Sequence, residues 1–151
     1  MSRFYPKSDI RTLLYAMLRV GLGLYLLIHA VIGLMDMDNF MLTALGYLED
    51  SSVEFLAYLT PIIPFMEFFL AVMILTGIYT RAALQWATGI GIFFILMFHY
   101  LDDLSSALEH AYTVVIKLTL IIGVYYNKFS LDYYNLWNVR KEVASIEQRH
   151  Q

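Results

Sequence analysis

The side chains best able to do chemistry in this 151-residue chain are three histidines, a glutamate and a lysine, each set in an apolar run. His29, His99 and His110 fall on three different predicted helices. Counted at 1.5 Å per residue, all three lie within about 7 Å of one edge of the apolar layer. Three imidazoles at one level can bind a metal, ligate a haem in pairs, or exchange protons with a quinone. They can equally be interfacial groups bonded to water and to Asp102, Asp103 and Glu109 nearby. No helix carries an HExxH or comparable local ligand pair, so a metal at His29, His99 and His110 would depend on convergence alone. Glu67 and Lys117 lie deeper, at a matched depth of about 13–15 Å. A buried carboxylate and ammonium at one level are natural partners, because each alone would lose its charge or its place. They read as a structural ion pair, as a proton-handling carboxylate tuned by the lysine, or as a pair that polarises a bound carbonyl. Arg19, nearer the opposite edge, could join Glu67 across the bundle or, with Gln85, serve as hydrogen-bond glue between helices. Gln85 and Gly89 share a helix face with His99.

The elements that must hold these groups are membrane helices. The chain is 60% hydrophobic and 15% charged, against about 45–50% and about a quarter in a soluble domain. The run LLYAMLRVGLGLYLLIHAVIGL, from Leu13 to Leu34, extends roughly 33 Å as a helix, the thickness of a bilayer's hydrocarbon core. It is too long for a signal peptide's apolar region, and no small-residue cleavage site follows, so it is expected to stay in the mature protein. Ala16, Arg19, Gly23, Leu26, Ala30 and Gly33 share one face of it, which predicts close approach of another helix there, while the bulky face meets acyl chains. An arginine near a helix centre costs at least about 2.5–3.5 kcal/mol in lipid, so Arg19 must face protein or water.

Four spans are predicted, at about 12–34, 53–78, 82–100 and 107–126. Ser8 or Asp9 can cap the first. Phe40, Met41, Leu42, Leu45 and Leu48 punctuate an acidic stretch with the spacing of a short surface helix. Ser51-Ser52-Val53-Glu54 matches a capping box opening the second span, which Pro61 and Pro64 should kink. Thr76 to Arg81 reads as a tight turn. The 128–151 tail begins with Phe129, Tyr133, Tyr134 and Trp137, an interfacial aromatic cluster, and ends polar. Arg3, Lys7, Arg11, Arg81, Lys128, Arg140 and Lys141 all fall on one side of this topology. The opposite loops carry Asp36, Asp38, Glu49, Asp50, Glu54, Asp102, Asp103 and Glu109 and no Lys or Arg. The positive-inside rule then places both termini in the cytoplasm. The expected fold is an all-α polytopic four-helix membrane bundle, with short interfacial helices in the first outer loop and in the tail.

Composition also excludes chemistry. The chain has no cysteine, which removes disulfides, thiol catalysis, iron–sulfur clusters and cysteine-ligated zinc. It has no P-loop, no Gly-rich dinucleotide motif and no basic stripe, which argues against nucleotide and nucleic-acid binding. The eight methionines are spread through the apolar helices and read as packing.

LRVGLGLYLLIHAVIGL in the first span and MEFFLAVMILTGIYTRAAL from the second into the third resemble the DoxX-like family of small four-helix membrane proteins. The match rests on Arg19, His29 and Gly33, then Glu67, Gly77, Thr80 and Arg81. It departs at Met35-Asp36, where the family often has a lysine, and at Phe68-Phe69, where a glycine pair often follows the acidic residue. The resemblance covers the four spans and not the tail. It implies a bacterial inner-membrane subunit that works with other membrane or redox subunits and is able to self-associate. One reading is a quinone-linked oxidoreductase subunit with its site at His29, Glu67, His99, His110 and Lys117. The other is a non-catalytic anchor in which Arg19, Gly23, Gly33 and Gln85 serve packing and no cofactor is bound. Haem ranks behind quinone as a ligand.

Overall fold

A computed structural model describes residues 9–49 and 51–136. All regular structure among them is helical: α1 (Ile10–Met35), α2 (Met37–Leu48), a 3-10 turn (Glu54–Leu59), α3 (Ile62–Thr76), α4 (Thr80–Tyr100), α5 (Leu104–Ile122) and a second 3-10 turn (Val124–Tyr126). Residues 131–136 are helical as well. Ser8, Asp50, Trp137 and the end of the tail lie outside the described residues.

Three helices, α1, α4 and α5, are long and apolar enough to cross a bilayer. α3 is equally apolar but has only 15 residues. The predicted continuous second span is thus broken rather than kinked. Neither Pro61 nor Pro64 has an N–H to donate, and their rings would strike the carbonyls of Ala57 and Thr60 in an uninterrupted helix. The chain therefore runs as a 3-10 turn to Leu59 and restarts with Pro61 in the cap position and Pro64 in the first helical turn, where a missing N–H costs nothing. The expected capping box does not form. Ser51 Oγ instead donates to the Leu48 carbonyl at 2.7 Å and accepts the Val53 N–H at 3.3 Å.

α1 packs along α3 and α4 along α5, while α3 and α4 meet less extensively. The small-residue face of α1 is what lets α3 in. A Cβ on Gly23 would lie 2.7 Å from Leu75 Cγ, and one on Gly33 would lie 3.1 Å from Pro64 Cγ. Between these contacts the core is mostly apolar, with Leu22, Leu26, Ala71, Ile74, Leu84, Ala87 and Leu120 packed together. The outer surface is apolar too: Met17, Ile28, Ile32, Phe69, Leu96 and Ile122 are each more than half exposed. Water would not tolerate such a band around the whole perimeter, and a bilayer would.

The end of the bundle that holds Arg19 is locked by polar contacts. Arg19 is 3% exposed. Its Nη1 donates to the Ile74 carbonyl at 2.9 Å and its Nη2 to the Phe129 carbonyl at 2.7 Å. Arg19 therefore does not reach Glu67. Its Nη1 instead caps one of the last carbonyls of α3, that of Ile74. Gly77 ends α3 with φ 72°, and the N–H groups of Gly77 and Ile78 both return to the Met73 carbonyl. Asp132 then closes the start of α4, its carboxylate accepting from the Tyr79 N–H at 2.7 Å and the Thr80 N–H at 2.8 Å. Asn127 Nδ2 donates to Thr80 Oγ1 at 2.9 Å. Four buried polar atoms, on Thr12, Tyr15, Arg19 and Asn127, have no partner among the described residues.

Candidate functional site

At the opposite end the polar groups converge on space rather than on backbone. His29, from the last third of α1, meets Glu67, from the first half of α3, with Nδ1 and Oε2 2.7 Å apart. The imidazole side chain is 51% exposed and the carboxylate 12%. Tyr25, one turn earlier on α1, stacks on the imidazole with ring centres 6.5 Å apart. Glu67 thus takes His29 as its direct partner where the sequence had suggested Lys117. The matched depth of Glu67 and Lys117 is real, however: both line a small chamber of about 10 Å³ together with His110. Lys117 itself is 4% exposed and donates to Thr113 Oγ1 at 3.4 Å.

His110, near the start of α5, is held flat against two rings of α4. Its centre is 4.9 Å from that of Phe94 and 5.5 Å from that of Phe98, both near-parallel. Tyr47 of α2 meets Phe98 edge-on at 5.8 Å. These aromatic supports went unread in the sequence, where Phe94 and Phe98 look like any lipid-facing residues. Their signal was the four-residue spacing between them, which puts both on one face.

His29, Glu67 and His110 all border a cavity of about 760 Å³ between α3 and α4. α2 and the 54–59 turn cover it through Phe40, Tyr47, Leu48, Leu56 and Leu59. Along α4 its lining runs from Ala82 to Phe98, a length of about 24 Å. Exposed Leu59, Ile62, Trp86 and Phe93 form its rim. The cavity therefore opens sideways, onto the surface that lipid would cover. Gln85 and Gly89 line it as well, so Gln85 faces the cavity instead of gluing two helices. A Cβ on Gly89 would meet nothing within 4 Å.

His99 is not part of this arrangement. The lining stripe of α4 advances through Phe93, Phe94, Met97 and Phe98, and His99, a further 100° round, is exposed beyond it. Among the described residues no three His, Asp or Glu side chains come together as a metal site, so the grouping of His29, His99 and His110 does not form. At the mouth of α5, Asp103 caps the helix: it accepts from the Ser106 N–H at 3.1 Å and from Ser106 Oγ at 2.6 Å. Those bonds favour the carboxylate and hold its pKa below the ordinary value.

The site can thus present an ionisable His–Glu pair and a stacked imidazole at one end of a long apolar trough. Comparison with known proteins returns no match: no family model, no curated protein and no solved structure aligns significantly with this chain.

Proposed function

We propose that this protein is an integral membrane subunit of a quinone-linked oxidoreductase system, of DoxX-like type, and that the cavity between α3 and α4 receives the quinone. In this reading α1, α3, α4 and α5 all cross the bilayer, α3 completing its crossing with the 54–59 turn. Both termini face the cytoplasm of a bacterial cell. Arg11, Arg81 and Lys128 lie at one end of the bundle, and Asp36, Asp38, Glu49, Glu54, Asp102, Asp103 and Glu109 at the other, in support of that orientation.

The observation that carries the proposal is the shape and polarity of the cavity. A lipid-soluble ring with a long chain needs side access from the membrane, an apolar trough for the chain and a few polar groups at one end to fix the head. The cavity offers all three, with His29, Glu67 and His110 at the head position. There His29 and Glu67 hold and exchange the protons that accompany quinone reduction, and His110 donates a hydrogen bond to a ring oxygen. Electrons come from a partner subunit.

Native mass spectrometry of the protein extracted gently from its own membrane tests this reading. A retained quinone mass is expected, lost in His29→Ala and in Gly89→Leu, which fills the cavity. Full retention in both variants would reject the site. The anchor reading has its own observation in the locked segment 127–136, which presents Phe129, Tyr134 and Leu136 on the surface. A ligand-free bundle carrying a larger protein would favour it.

A further inference from the structure

The small chamber beside the cavity has a composition that binding of a quinone in the large cavity does not explain. All four long or apolar helices border it. α1 gives Leu26 and α4 gives Gly91 and Phe94, all apolar; the polar groups are Glu67 from α3 and His110 and Lys117 from α5. Lys117 is almost fully buried, and an ammonium carries three N–H donors. The long bond to Thr113 Oγ1 serves one of them. Thr113 Oγ1 in turn donates to the His110 carbonyl at 2.9 Å, so the lysine is drawn back along α5 toward the level of His110. Gly91 lets α5 approach closely beside it: a Cβ there would lie 2.5 Å from Val114 Cγ2, and 3.4 Å, an ordinary contact, from Lys117 Nζ. A charge placed so deliberately in an apolar interior needs acceptors on its remaining donors.

A volume of about 10 Å³ is what a single water requires, and two to four polar partners are what hold one in place. We propose that Glu67, His110 and Lys117 together bind one water, and that this water completes a proton path from the surface through His29 and Glu67 to His110. Lys117 is the positioning residue. Its N–H points the water's oxygen toward itself and so turns the water's hydrogens toward the Glu67 carboxylate and the His110 ring. A proton arriving at half-exposed His29 passes to Glu67, from Glu67 to the water, and from the water to His110, each step returning a proton-accepting lone pair to the group before it. The path does not depend on which molecule the large cavity holds.

The test is side-chain nitrogen NMR of the protein in lipid nanodiscs, following exchange of the His110 ring N–H into deuterated water without added ligand. Removing a positioned proton-transfer partner slows transfer by about a hundredfold. Glu67→Gln and Lys117→Met are therefore expected to slow His110 exchange by at least about tenfold. Thr113→Val, which releases the lysine while keeping the side chain's shape, should do so to a smaller degree and provides the reading if Lys117→Met does not fold. Unchanged exchange in Glu67→Gln together with either α5 variant overturns the proposal. So does slowing by Gly89→Leu alone, since water would then reach His110 through the large cavity. Because no quinone is present, either result stands apart from the fate of the quinone reading.

Discussion

At the Arg19 end, charged side chains are spent on backbone: Arg19 on the carbonyls of Ile74 and Phe129, Asp132 on the N–H groups of Tyr79 and Thr80. At the His29 end, charged side chains face one another and a cavity: His29 meets Glu67, and Glu67, His110 and Lys117 share a chamber. The same four helices therefore carry two kinds of polar centre. Groups that satisfy helix termini fix the position of those termini and commit most of their bonds to backbone. Groups that meet across a void do not. The difference teaches where stability and where binding should be sought in a bundle of apolar helices.

Substitutions can break that contrast or sharpen it. Arg19→Leu should have the largest effect on stability. It removes two charge-assisted bonds, each worth about 1.5–3 kcal/mol, and should lower the thermal unfolding midpoint in detergent by roughly 10 °C. Asp132→Ala removes the cap of α4 and should cost about 1–2 kcal/mol, read in the same melt. Loss of stability comparable to Arg19→Leu on replacing His29 with Ala would erase the distinction between the ends, since His29→Ala is expected to cost less than about 1 kcal/mol while abolishing ligand retention. Gly89→Leu should leave stability unchanged or raise it by up to about 1 kcal/mol, because a helix prefers leucine to glycine, yet weaken ligand binding more than tenfold.

The smallest effect is a pH dependence at Asp103. Its folded-state pKa lies below the unfolded one, so its contribution is present above the unfolded value and disappears as pH falls through the folded value. The melting point of Asp103→Ala should sit below wild type at neutral pH and converge with it as the medium is acidified below the ordinary aspartate range. A constant gap across that range would show that the cap acts without its charge.

Much of the fold was legible because membrane physics leaves few choices. The length of α1, its small-residue face with Gly23 and Gly33, the turn at Gly77 and the short helix after Met35 all follow from rise per residue, side-chain size and backbone freedom. What escaped was long-range. Arg19 was offered either Glu67 across the bundle or a role as hydrogen-bond glue; the structure gives it the second kind of contact, to the carbonyls of Ile74 and Phe129, which no sequence pattern advertises. Asp132 caps a helix 52 residues earlier in the chain, and it sat unnoticed in a stretch read as interfacial. Lys117 and Glu67 were correctly placed at one level, yet level alone could not show that His29 would intervene. His99 was grouped with the other histidines by height, and the rotation of α4 takes it away.

Between the two polar centres lies the hydrocarbon layer of Leu22, Leu26, Ala71, Ile74, Leu84 and Leu120. In electrical terms it is an insulator. A membrane potential is worth about 2.3 kcal/mol per elementary charge for every 100 mV, and a continuous chain of polar groups through the bundle would leak it away. On the proposed reading, this layer would separate the proton-handling groups around His29 from the Arg19 end of the bundle.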